Sequence, residues 1–186
     1  MGVLEGVFHP GFFFSTKILI DYIDKNLELD NKTFLELGAG SGLITLFAAS
    51  KKAIVKASDV NIYATINIQR NLDANKLRAT VIHSDLFQDI LPQTFDFIVI
   101  NPPYFKKKPE TVYELAWNAG ENLEYFQNLF MQLRPYTHKE TKTLMILSDD
   151  CDIMRIKEIA ALNHYSLKEV YSKKKYWETN FIYEVT

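Results

Sequence analysis

The chain has 186 residues, 47% hydrophobic and 24% charged, with a formal net charge of -2. That balance suits one globular domain over residues 1–186 with a sizeable core, and excludes a nucleic-acid binder held by overall charge alone. No window approaches the roughly 20 apolar residues of a membrane span, the start lacks a signal peptide's basic and apolar regions, and Cys151 is the only cysteine, so a cytoplasmic protein without disulfide or thiolate zinc cluster is expected.

Residues 7–14, VFHPGFFF, form an aromatic cluster broken by Pro10-Gly11. Ser15 then stands as the cap of a helix, STKILIDYIDKN, in which Ile18, Leu19, Tyr22 and Ile23 recur at helical spacing, and residues 1–30 are expected to pack as a helical segment on the core. After the turn Asp30-Asn31-Lys32, TFLEL reads as a strand running into Gly38-Ala39-Gly40-Ser41-Gly42 and the apolar helix LITLFAAS. AIVKASDV is a second strand ending in Asp59, NIYATINIQRNLDANK a helix with Ile62 and Ile66 one turn apart, and ATVIHSD a third strand ending in Asp85. FDFIVI has the apolar, β-branched character of a strand buried on both faces. It stops at Asn101-Pro102-Pro103-Tyr104, where two locked φ angles and two missing N–H groups end any ladder.

A mobile loop at Lys106-Lys107-Lys108-Pro109 leads to the helix ENLEYFQNLFMQL, with Leu123, Phe126, Phe130 and Leu133 on one stripe, and then to a fifth strand, TKTLMILS. The helix CDIMRIKEIAALN turns Ile153, Ile156 and Ala160 inward, and YSLKEVYS and NFIYEVT form an antiparallel pair across the turn SKKKYWET. Alternating strands and helices imply an α/β fold with a mainly parallel sheet.

Four strands thus deliver a glycine or polar element at their carboxyl ends, the edge at which open α/β sheets bind ligands. The dinucleotide fingerprint would need its third glycine at position 43, where Leu43 stands, which opposes a nucleotide-dependent oxidoreductase. Asp59 suits both hydroxyls of an unmodified ribose and would repel a 2′-phosphate. Asp85 can accept from an adenine amino group, with Leu86 and Phe87 offering apolar faces to the ring. His9, His83, His138 and His164 have no metal-ligand spacing, so no metal is expected. Lys106 to Lys108 and Lys173 to Lys175 read as solvated loops that would meet phosphates if they flank the site.

ELGAGSG (36–42), Asp59, SDLF (84–87) and NPPY (101–104), in this order, resemble the class I S-adenosylmethionine-dependent methyltransferases, and among them the NPPY group that methylates planar nitrogens. The resemblance implies a Rossmann-like fold, a seven-stranded sheet with the last strand antiparallel, and S-adenosylmethionine as cofactor. It places Glu36, Gly38, Ala39 and Gly40 at the methionyl part, Asp59 at the ribose, and Asp85 with Leu86 at the adenine. Asn101, Pro102 and Tyr104 are the implied catalytic residues, and Asn101, Pro103, Tyr104 and Phe105 the implied contacts to the acceptor. The start, VFHPGFFFSTKILIDYI, and NAGENLEYFQNL resemble HemK-class protein-glutamine methyltransferases, which puts Ser15 or Thr16 beside the cofactor. Asn-Pro-Pro-Tyr-Phe followed by a basic loop is similar to small adenine-N6 methyltransferases acting on RNA. The implied partner is a macromolecular acceptor, either a protein such as a translation factor or an RNA, with room for a small activating protein. A cofactor-binding subunit without catalysis is the competing reading from another class, and the intact Asn101 and Tyr104 oppose it.

Overall fold

The computed structural model describes residues 14–175 and 177–186, so the aromatic cluster before Phe14 lies outside the described residues. The first element, α1 (Phe14–Asn26), already includes Ser15, which sits in its first turn rather than capping it. Ile18, Leu19 and Ile23 of α1 are buried against the sheet, each contributing roughly 1.5–3 kcal/mol. The helix is thereby clamped to the strands, with its amino end near their carboxyl edge.

Then follow β1 (Thr33–Leu37), α2 (Leu43–Ser50), β2 (Ile54–Asp59), α3 (Ile62–Ala74), β3 (Thr80–His83) and β4 (Phe97–Ile100). The chain continues through α4 (Glu124–Leu133), β5 (Lys142–Ser148), α5 (Ile153–Leu162), β6 (Leu167–Lys175) and β7 (Glu178–Val185). The strands form one seven-stranded sheet in the order β3-β2-β1-β4-β5-β7-β6. β7 runs antiparallel to both neighbours, and the pairs from β3 to β5 are parallel.

Helices cover both faces because alternate strand residues are apolar on each. Phe34, Val55, Val99, Leu144 and Ile182 pack under α1 and α2. Leu35, Ile98, Met145 and Tyr183 pack under α4 and α5. Strand order reverses between β1 and β4, the switch point at which a crevice opens. Leu37 pairs with Ser58 on one side and Ile100 on the other, so Gly38, Asp59 and Asn101 come next, side by side.

Several elements depart from the sequence reading. The helix expected from Glu121 begins at Glu124, because Gly120 (φ 95°) and Leu123 (φ 61°) leave the helical region, and the Glu124 carboxylate accepts the Asn122 N–H at 3.0 Å. Along α3 the buried stripe is Ala64, Ile68 and Leu72, whereas Ile62 and Ile66 are 46% and 40% exposed. The expected turn SKKKYWET is largely strand: Lys173 to Lys175 pair with Asn180 to Glu178. β3 ends at His83, and Asp85 stands in the turn beyond it.

Candidate active site

The carboxyl edge of β1, β2 and β4 opens into a cleft of about 780 Å³. One wall is the glycine loop. Its Gly40 N–H donates to Asp59 Oδ2 at 2.7 Å, and the Asn61 N–H donates to Oδ1 at 2.8 Å. The Asp59 carboxylate therefore ties the end of β2 to the loop, and each oxygen keeps a lone pair for another donor. Burial raises Asp59 above the ordinary carboxylate range, opposed by the two backbone donors and by His83. Gly42, at φ 79°, opens α2, and a Cβ there would stand 2.8 Å from Ile68 Cγ1. The bare backbone lets α2 and α3 close around the loop.

Glu36 stands behind this wall, 4% exposed, and accepts the hydroxyl of Thr45. Burial pushes its carboxyl up to about 8, against the Thr45 donors. Among the described residues it has no ion pair.

On the β3 side, Asp85 and Leu86 line the cleft as expected. Leu86 is left-handed, at φ 50°, and Ser84 fixes the turn by donating to the Leu86 carbonyl and accepting from the Asp89 N–H, both at 3.0 Å. Phe87, expected to flank a bound ring, instead faces the core, where it stacks on Tyr136 with centroids 4.3 Å apart. The turn at Leu86 separates the two side chains, sending one to the cleft and the other inward.

The acceptor side is built on β4. Asn101, Pro102, Pro103, Tyr104 and Phe105 all line the cleft. Asn101 Nδ2 donates to Ser15 Oγ at 3.4 Å and Thr16 Oγ1 at 3.3 Å, and Oδ1 accepts the Tyr104 hydroxyl at 3.1 Å. Burial holds the Tyr104 phenol far above its ordinary value, so it stays a proton donor. The stretch expected as a mobile loop starts from an anchored point: the Phe105 N–H donates to the Trp117 carbonyl at 2.7 Å, and the Ala119 N–H to the Phe105 carbonyl at 2.8 Å. Cys151 is buried and its thiol pushed up to about 11, which leaves it protonated and inert as a nucleophile.

Sequence reasoning did not find Asn61, Tyr125, Asp150 and Glu178, which also line the cleft. Asn61 carried a signal, since it caps α3 by accepting the Tyr63 N–H at 3.0 Å two residues after Asp59. The other three arrive from α4, from the end of β5 and from β7, and only the tertiary fold brings them here.

Residues 3–134 match the family model described as the methyltransferase small domain. The chain belongs to that family. A Methanocaldococcus jannaschii protein named as a protein N5-glutamine methyltransferase is 28% identical over 152 residues, 77% of each chain. A Shewanella loihica tRNA1(Val) adenine-N6 methyltransferase is 40% identical over 89 residues, 43% of this chain and 37% of that one. Among solved structures, the E. cuniculi Mtq2–Trm112 complex, described as responsible for methylation of the translation termination factor eRF1, superposes with a TM-score of 0.72 at 19% identity over 97% of this chain and 98% of that one. This methyltransferase thus shares the Rossmann-like class I fold and depends on S-adenosylmethionine.

The residues present suit that cofactor. An ammonium group would give the methyltransferase's Glu36 the cation it lacks, and the free lone pairs of Asp59 suit hydroxyl donors. Among the described residues no helix is long and apolar enough to cross a membrane.

Proposed function

We propose that the methyltransferase moves a methyl group from S-adenosylmethionine to a planar nitrogen held by Asn101, Pro102, Pro103 and Tyr104, and that this nitrogen is a glutamine side-chain amide in a protein. The observation that carries the reading is Asn101 itself. Its Oδ1 accepts one hydrogen bond from Tyr104 and keeps a second lone pair toward the cleft in which the loop stands beside the glycine wall.

When bound, S-adenosylmethionine supplies a methyl group activated by its sulfonium. Glu36 with Gly38, Ala39 and Gly40 holds the methionyl part, Asp59 the ribose, and Asp85 with Leu86 the adenine. Asn101 Oδ1 and the Pro102 carbonyl each accept one N–H of the acceptor, and the locked prolines keep that pair of oxygens in place. Such alignment is worth several kcal/mol of the barrier, up to roughly 7–11 in well-oriented cases. Neutral Asn101 and the protonated Tyr104 take up no proton, so the proton released from the product nitrogen goes to water. Phe105 closes the acceptor side at the rim.

Charge favours a protein over RNA as the carrier of the acceptor. Among the described residues, Asp59, Asp85, Glu121, Glu124, Asp150 and Glu178 line the cleft against Lys108 alone of the cations, the buried Glu36 keeping its proton. Outside it, Lys106 is bound to Asp152 at 3.4 Å, and Lys175 lies over the Phe14 ring. A phosphate backbone entering this cleft would meet mostly like charge. An adenine in RNA is the second reading, supported by Phe105 and Tyr113, 49% and 50% exposed at the rim, as stacking surfaces. The likeness to the Mtq2–Trm112 complex supports a small activating partner, and the reaction is assigned to the cytoplasm.

The test is transfer of a tritiated methyl group from S-adenosylmethionine into cell extract, before and after ribonuclease or protease. Label lost to protease and kept after ribonuclease is the expected result. Label lost to ribonuclease would transfer the assignment to RNA.

A further inference from the structure

The Asn101 carboxamide has two ends alike in shape and opposite in chemistry. It can receive an acceptor N–H only with Oδ1 toward it; rotated by half a turn, Nδ2 would meet that N–H donor to donor. The prolines fix where the carboxamide sits but not which way round it is. We infer that Ser15 and Thr16 of α1 are positioning residues that hold Asn101 with Oδ1 facing the acceptor; the inference rests on the reading of the Asn101 loop given above.

The two hydroxyls lie 86 and 85 residues away in sequence, yet each takes one N–H of Nδ2, at 3.4 Å and 3.3 Å. Both are buried, at 2% and 5% exposure, so water does not stand in for them. Hydroxyls alone would serve either orientation, since each can donate or accept. Number decides between the two. The end of the carboxamide with two N–H groups meets the two buried hydroxyls, and Oδ1 meets the single Tyr104 phenol, which donates to it at 3.1 Å. A half-turn of the carboxamide would leave Nδ2 facing one phenol with its second N–H turned to the acceptor, while the present orientation places both N–H groups and leaves one lone pair of Oδ1 for the acceptor.

The geometry also explains why α1 is clamped to the sheet by Ile18, Leu19 and Ile23: the first turn must be held to within a hydrogen bond of the end of β4. These residues act through Asn101.

The experiment compares wild type with S15A, T16V and the S15A/T16V pair, and with S15T and T16S as conservative variants. Donor affinity is read by calorimetry with S-adenosylmethionine, and turnover by single-turnover tritium transfer into the extract fraction that accepts label. The double variant should lose roughly tenfold or more in rate with donor affinity held and a folded circular-dichroism spectrum at the assay temperature, and S15T and T16S should recover rate. Asparagine-selective 15N labelling, assigned with N101A, should show the Asn101 side-chain protons protected from exchange in wild type and unprotected in the double variant. Unchanged turnover, or unchanged exchange at Asn101, in the double variant overturns the inference. Should S15A not fold, T16V against T16S carries the same readouts. An N101A variant that still turns over would overturn the acceptor reading itself, whereas an inactive N101A beside a fully active S15A/T16V overturns only the positioning role.

Discussion

Glu36 shows how a single residue changes character with its surroundings. In the sequence it is the acidic residue before the glycine loop; in the fold it is a buried carboxyl whose value is pushed from 4.5 to about 8, chiefly by burial. The folded chain therefore keeps a proton that the unfolded chain releases between those pH values, and stability from this group falls as pH rises through about 4.5 to 8. Glu36→Gln removes the titration. Urea unfolding should show the variant gaining on wild type across that window by on the order of a few kcal/mol, then levelling off; parallel pH curves would show Glu36 to be ionised in the folded protein. Asp59 and Asn101 were legible because each stands at a strand end, and Glu36 entered only through the family resemblance. The contact of Ser15 and Thr16 with Asn101 was not legible, since α1 and the loop meet only after α1 has docked.

At the level of elements, the strand–loop–helix alternation makes the glycine loop and the strand ends readable in the sequence. Boundaries set by backbone conformation were less so. Leu123 in a left-handed conformation delays α4, and no composition signal distinguishes it from its neighbours in the apolar stripe. β6 and β7 extend through three lysines because Lys173 and Lys174 lie on an exposed edge strand, where charge is no obstacle to pairing. The close approach of α2 to α3 yields a sharper expectation. Gly42→Ala places a methyl group against Ile68 at a positive φ, and should cost roughly 1–3 kcal/mol in chemical unfolding. Ile68→Ala, which removes Cγ1 and Cγ2, should cost less beside Gly42→Ala than in wild type, because the two side chains share the space. Strictly additive losses would mean that the strain lies in the backbone of the loop alone.

Over the whole molecule, the switch point between β1 and β4 gathers donor and acceptor residues into one cleft, and the acidic lining gives that cleft its sign. Capture of a polyanion by released counterions would make the rate fall steeply with salt. For a protein acceptor entering this cleft, methyl transfer should change little between low and physiological salt, and excess RNA should not compete; a steep negative slope in salt would favour the nucleic-acid reading. The central claim is that donor and acceptor are held by separate walls, the glycine loop and Asn101. Asn101→Ala separates them most directly, with S-adenosylmethionine affinity measured by calorimetry beside single-turnover methyl transfer. Affinity within about twofold of wild type together with a loss of roughly a hundredfold or more in rate is expected. Equal losses of affinity and rate, or an undiminished rate, would contradict it.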